Sequence, residues 1–247
     1  MKKVLIVLLV SFLMGSLGAA GKLVVYQVDG NDYEGYYVSP DKKAPLILLV
    51  HDWDGLTDYE IKRAEMLVKE GYAVFALDMF GKGIRPKEFK DKKALTGALY
   101  KDRPKMIALL NGGLNAAKSA GGNIANAIIM GYCFGGTCVL EYARSGKTLK
   151  GFVTFHGGLS IPEGKDYTKT KGKLLILHGT ADKHVTMEHF SKLAVELESK
   201  KIIHEMVTYS GAPHAFSVFG SERYRKDADE KSWARFTGFL NEVLKSK

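Results

Sequence analysis

Cysteine is nearly absent from this 247-residue chain: there are two, Cys133 and Cys138. They stand five positions apart on what reads as a turn followed by a helix. At that spacing the side chains diverge and the Cα atoms sit beyond bridging distance, so both are expected as free thiols. A disulfide framework is therefore excluded. No H-E-x-x-H, C-x-x-C or paired-cysteine ligand set occurs, so neither a metal nor any other cofactor is expected. There is no internal repeat, low-complexity tract or interdomain linker. Past residue 20, no apolar run is long enough to cross a membrane.

Dense charge of one sign is also missing. The formal charge is +9, but the lysines are spread along helices and loops, with no basic run and no aromatic-rich binding motif. A solvated basic surface is the reading, and no nucleic-acid partner is expected.

What the chain does have begins at its N-terminus. "MKK" is a short basic stretch, "VLIVLLVSFLMGSLG" is an apolar core, and "GAA" supplies small residues up to Ala20. This pattern predicts a signal peptide over residues 1–20. The rival reading, an uncleaved anchor, needs a longer apolar run. The protein is thus expected to be periplasmic or secreted, with no stable membrane insertion after cleavage. Removal of Lys2 and Lys3 with the leader leaves +7. The remaining 21–247 are expected to form a single domain. At 46% hydrophobic, the chain has ample apolar material for one large core.

The rhythm of that segment is strand, then helix. "KLVVYQV" and "EGYYVSP" look like an opening pair of strands joined by "DGND". "PLILLV", "YAVFALDMFG", "NAIIM", "KGFVTF" and "KLLILH" are continuous apolar runs, as strands buried on both faces require. Between them lie helical patterns such as "DYEIKRAEMLVKEG" and "TMEHFSKLAVELESKK", with "EKSWARFTGFLNEVLKS" closing the chain. Residues 82–99 are polar and lysine-rich and read as an excursion over the surface. The prediction is an α/β fold: a mainly parallel central sheet with helices on both faces.

Open sheets of this kind put their chemistry at the carboxyl ends of the strands. Four polar positions fall there: His51-Asp52-Trp53, Cys133, Asp182 and His214. Cys133 lies in "GYCFGG", between an apolar run and a helix, which fits the G-x-nucleophile-x-G elbow. A thiol at a helix N-terminus is favoured as thiolate by the dipole and the free N–H groups. The alternative for Cys133 is a small packed residue beside flexible glycines. Asp182, in "HGTADKHV", reads either as a carboxylate aimed at a histidine or as a turn cap. His214, in "SGAPHAF", reads either as the base or as a surface loop residue. His156 and His178 read as structural, and His184 and His189 have no partner pattern.

Taken together, "GYCFGG", "HGTAD", "GAPHAF" and "HDWDGL" resemble the dienelactone hydrolase family of α/β-hydrolases, over about residues 22–245. The order Cys133, Asp182, His214 is the family's order of nucleophile, acid and histidine. The resemblance implies a Cys-His-Asp triad acting on small esters or lactones through a thioester acyl-enzyme. It implies an oxyanion hole from the backbone N–H groups of Trp53 and Phe134. It also gives Asp52, where the family has glutamate, a role in modulating the thiol. Asp52 otherwise reads as a turn cap. The family's carboxylate-clamping arginine falls at Val218 here, which leaves Arg85 as a candidate pocket residue, with His51 beside it. A monomer acting on a small-molecule ester or lactone is expected. The rival classes are a non-catalytic binding protein of the same fold and a thiol-redox protein.

Overall fold

Strand β3 (Pro45–Val50) is inaccessible to solvent from Leu46 to Val50, and its neighbours explain why. In this computed structural model, which describes residues 21–245, β4 (Ala73–Leu77) pairs with it in parallel on one side. On the other side lies β5 (Asn123–Tyr132), also parallel, so that Leu48 stands between Phe75 and Ile129. With helices above and below, neither face of β3 meets water. Each leucine or isoleucine there contributes roughly 1.5–3 kcal/mol by burial.

The sheet continues through β6 (Thr148–Phe155), β7 (Lys171–Gly179) and β8 (His204–Tyr209), all parallel. At the opposite edge β1 (Lys22–Val28) and β2 (Asn31–Val38) are antiparallel, giving the eight-stranded order β1-β2-β4-β3-β5-β6-β7-β8. The opening hairpin is tighter than "DGND" suggests. Val28 pairs with Asn31, and only Asp29 and Gly30 turn the chain, at φ 49° and 76°. Two consecutive positive φ angles match the twist of a two-residue hairpin.

Each face of the sheet has its own apolar layer. One is closed by α3 (Arg103–Ser119), α4 (Phe134–Arg144) and α5 (Met187–Ser199), the other by α1 (Asp58–Lys69) and α6 (Lys226–Leu240). The fold is therefore α/β, mostly parallel, with helices on both faces. The 82–99 excursion is more ordered than expected: α2 (Phe89–Lys101) occupies most of it. Its buried residues are only Thr96 and Leu99, which is why no apolar stripe announced a helix. The expected leader over residues 1–20 lies outside the described residues, as does Ser246, the last residue of the segment expected as the closing helix. Among the described residues no helix is long and apolar enough to cross a membrane.

Candidate active site

Strand β5 hands the chain to α4 through a single residue, Cys133, whose φ is 49°. The elbow is tight enough to dictate its glycines. A Cβ on Gly131 would strike the backbone of Gly135, and one on Gly135 would strike the carbonyl oxygens of Val50 and His51. The turn leaves Cys133 partly exposed at the N-terminus of α4, while Cys138 is fully buried one turn on and burial pushes its thiol well up. The two remain free thiols.

The loops after β7 and β8 converge on that sulfur. His214 Nε2 lies 3.0 Å from Cys133 Sγ, and His214 Nδ1–H donates to Asp182 Oδ2 at 2.7 Å. Asp182 Oδ1 meanwhile accepts from the backbone N–H groups of His184 and Val185, at 2.8 and 2.9 Å. The carboxylate thus both caps its own turn and orients the imidazole. Burial works to lower the pKa of His214, but its hydrogen bonds to Asp182 and Cys133 win and push it up to about 10. Burial works to raise that of Asp182, and the histidine with the two N–H donors brings it down to about 2. A charged imidazole beside a sulfur is the arrangement that favours a thiolate.

A cleft of about 460 Å³ opens over this chain of contacts, lined by Asp52, Trp53, Phe89, His184, His214 and Arg223 with Cys133 at its base. Asp52 is buried, and Oδ1 accepts from the N–H of Asp54 at 2.7 Å, so the capping reading describes one of its oxygens. It faces the same cleft as the thiol, and burial pushes its pKa up to about 6. Glu60 ties this loop down: its carboxyl accepts from the N–H and the hydroxyl of Thr57 at 2.9 and 2.8 Å. Trp53 lines the cleft. Phe134 is the first residue of α4, so its N–H is among the donors a helix leaves free at that end.

Two expected pocket residues are elsewhere. His51 is fully buried beneath the loop: Nδ1–H donates to the Asp52 carbonyl at 2.6 Å and Nε2 accepts from the N–H of Met79 at 3.0 Å. Both ring nitrogens are engaged, and none of the ring lines the cleft. Arg85 donates from Nε to the Leu56 carbonyl and from Nη1 to that of Ile84 at 2.8 Å. Its charge is turned toward Glu34 and Asp78, behind the loop. The arginine that does line the cleft is Arg223, and with Phe89 and His184 it was missed in the sequence. Nothing in the spacing around any of the three marks it. Among the described residues no group of three His, Cys, Asp or Glu side chains is placed to hold a metal.

A family model described as "Dienelactone hydrolase family" matches residues 33–244, from within β2 through the end of α6. The chain belongs to the dienelactone hydrolase family. It is accordingly a hydrolase of a family that acts on small molecules. Among its relatives in the dienelactone hydrolase family is a Salmonella typhimurium protein provisionally named carboxymethylenebutenolidase, 26% identical over 219 residues, covering 83% of this chain and 81% of the relative. A Saccharolobus solfataricus protein with the same provisional name is 25% identical, covering 91% of this chain and 99% of its own. In three dimensions, a dienelactone hydrolase-like promiscuous phosphotriesterase from metagenomic libraries superposes with a TM-score of 0.84 at 25% identity. That match covers 92% of this chain and all of the other.

Proposed function

We propose that this protein hydrolyses small carboxylic esters or lactones through a thioester on Cys133. The observation that carries the reading is the unbroken chain Asp182–His214–Cys133 beneath an open cleft. In the resting pair His214 holds the proton as imidazolium, and the Cys133 sulfur, as thiolate, attacks the acyl carbon. The carbonyl oxygen becomes an oxyanion held by the N–H groups of Phe134 and Trp53. As the tetrahedral species collapses, the carbon–oxygen bond of the ester breaks and the imidazolium returns its proton to the departing alkoxide. Water, deprotonated by His214, then attacks the thioester and releases the carboxylic acid and the thiol. Asp182 keeps the imidazole in one tautomer throughout. Arg223 at the cleft wall offers a partner to an anionic substituent.

The test is substitution of each thiol in turn. Cys133→Ala removes turnover of short esters and lactones by several orders of magnitude, because groups that act as a unit fail together. Cys138→Ala leaves turnover largely intact, since that sulfur is buried in the helix. A thiol-redox role is disfavoured by the same burial, which keeps Cys138 from resolving a bond to Cys133. We further read residues 1–20 as a leader removed on export, leaving one domain over 21–247 that works as a periplasmic or secreted monomer. The mass of the protein recovered from the envelope fraction tests that reading.

A further inference from the structure

We infer that His156 is a positioning residue for His214: its ring buttresses the His214 imidazole and anchors the following loop through Ser217. The inference rests on His214 being the base in the reaction above. It starts from the backbone. Among the described residues, five non-glycine residues have φ in the left-handed region: Asp29, Cys133, His156, Lys201 and Ala215. Asp29 belongs to the opening hairpin, and Lys201 follows the end of α5. The other three meet at the site. Cys133 carries the sulfur, Ala215 follows His214, and His156 sits at φ 41° just past β6. Such a conformation costs free energy and persists where the surroundings demand it.

At His156 the demand is visible. Thr154, two residues earlier, faces α4, close to Gly136. Regular pleating sends residue 156 to the same face. The positive φ instead turns its ring across the strand end. There it lies 5.9 Å from Tyr132, 5.3 Å from Phe216 and 5.4 Å from His214, at 64° to the last. The edge-to-face contact limits rotation of the His214 ring, whose Nε2 is then held toward the sulfur.

The second attachment is polar. His156 Nε2 lies 2.8 Å from Ser217 Oγ, while Nδ1 is buried with no partner among the described residues. An unpaired buried N–H costs more than an unpaired lone pair, so the proton belongs on Nε2 and the ring donates to Ser217. Ser217 is gripped from the other side as well. Its carbonyl accepts from Arg63 Nη2 at 2.8 Å and from the Tyr59 hydroxyl at 3.2 Å, and Arg63 is paired with Asp229 of α6. The loop bearing His214 is thereby fixed to β6, α1 and α6 at once. The charged or titratable groups around His156 include His214, Asp182, His178, Arg63 and Tyr132, and burial keeps its own ring neutral. A neutral ring packs against the His214 imidazolium without like-charge repulsion.

The experiment combines His156→Leu, His156→Gln and Ser217→Ala with two readouts on folded protein. One is kcat and KM for a short ester. The other is the pH profile of Cys133 alkylation by iodoacetamide, which reports the sulfur–imidazole pair with no ester present. His156→Leu lowers kcat about 10- to 100-fold, as expected for a small displacement of a reacting group, with KM little changed. Alkylation at pH 7 slows in parallel. His156→Gln, which keeps an N–H donor of similar reach, recovers part of both. Ser217→Ala shows the same pattern, and its combination with His156→Leu adds little. Wild-type kcat and alkylation profiles in folded His156→Leu overturn the proposal. If that variant does not fold, the same result in Ser217→Ala overturns it. Should the wild type hydrolyse no ester at all, the proposed function fails, and the alkylation profile still decides the role of His156.

Discussion

His214 Nε2 stands 3.0 Å from Cys133 Sγ, across 81 residues of chain. The two come from strands β8 and β5, which β6 and β7 separate in the sheet. The loop after β8 must therefore run back over two strand ends to reach the sulfur. Its course is fixed by the Asp182 contact beyond β7 and by the Ser217 contact to His156 beyond β6.

The charged state of His214 links stability to pH. Its pKa rises from 6.5 to about 10 on folding, so the folded protein holds this proton more tightly than the unfolded chain does. The stabilisation is complete below pH 6.5 and is lost as pH climbs through 10. The melting temperature of the wild type should therefore exceed that of His214→Asn most at pH 6, with the gap closing by pH 10. A gap that widens with pH contradicts the assignment.

Asp52 makes a complementary prediction. With a pKa near 6, its carboxylate is ionised at pH 7.5 and mostly neutral at pH 5. Ionised, it opposes a thiolate in the same cleft by like-charge repulsion. Asp52→Asn should speed iodoacetamide alkylation of Cys133 several-fold at pH 7.5 and leave it nearly unchanged at pH 5. Equal rates at both pH values reduce Asp52 to the cap of Asp54.

The uneven legibility of the site follows from which features are local. Continuous apolar runs mark strands buried on both faces, so β3 to β7 were readable, and the carboxyl ends of β5, β7 and β8 put Cys133, Asp182 and His214 on one rim. The elbow was readable because its close approaches tolerate only glycine. His51 and Arg85 were assigned by adjacency, and adjacency says nothing of which way a loop side chain turns. Arg223 and Phe89 reach the cleft by the paths of a loop and of α2, and no spacing encodes those paths. His156 looked structural because its approach to His214 depends on one backbone angle.

The cleft has a roof as well as a floor. Phe89, 65% exposed at the start of α2, packs edge-on to Trp53 at 5.7 Å. One turn on, Lys92 pairs with Asp54 at 2.5 Å and lies over the Trp53 ring. From this cover we expect a preference for short acyl groups. Acetyl and butyryl esters should be hydrolysed faster than long-chain ones, and Phe89→Ala should narrow that preference by about 10-fold in kcat/KM. Faster turnover of long-chain triglyceride emulsions by the wild type contradicts this view of α2.

The central claim, a covalent acyl group on Cys133, is tested most directly by trapping it. The wild type is mixed with an excess of a short activated ester, quenched in acid within the first turnover, and digested for mass mapping. The account predicts the added acyl mass on the peptide containing Cys133, released by hydroxylamine as thioesters are, and absent from Cys133→Ala. Acylation of Cys138 or of a non-cysteine residue, or steady turnover by Cys133→Ala, would contradict it.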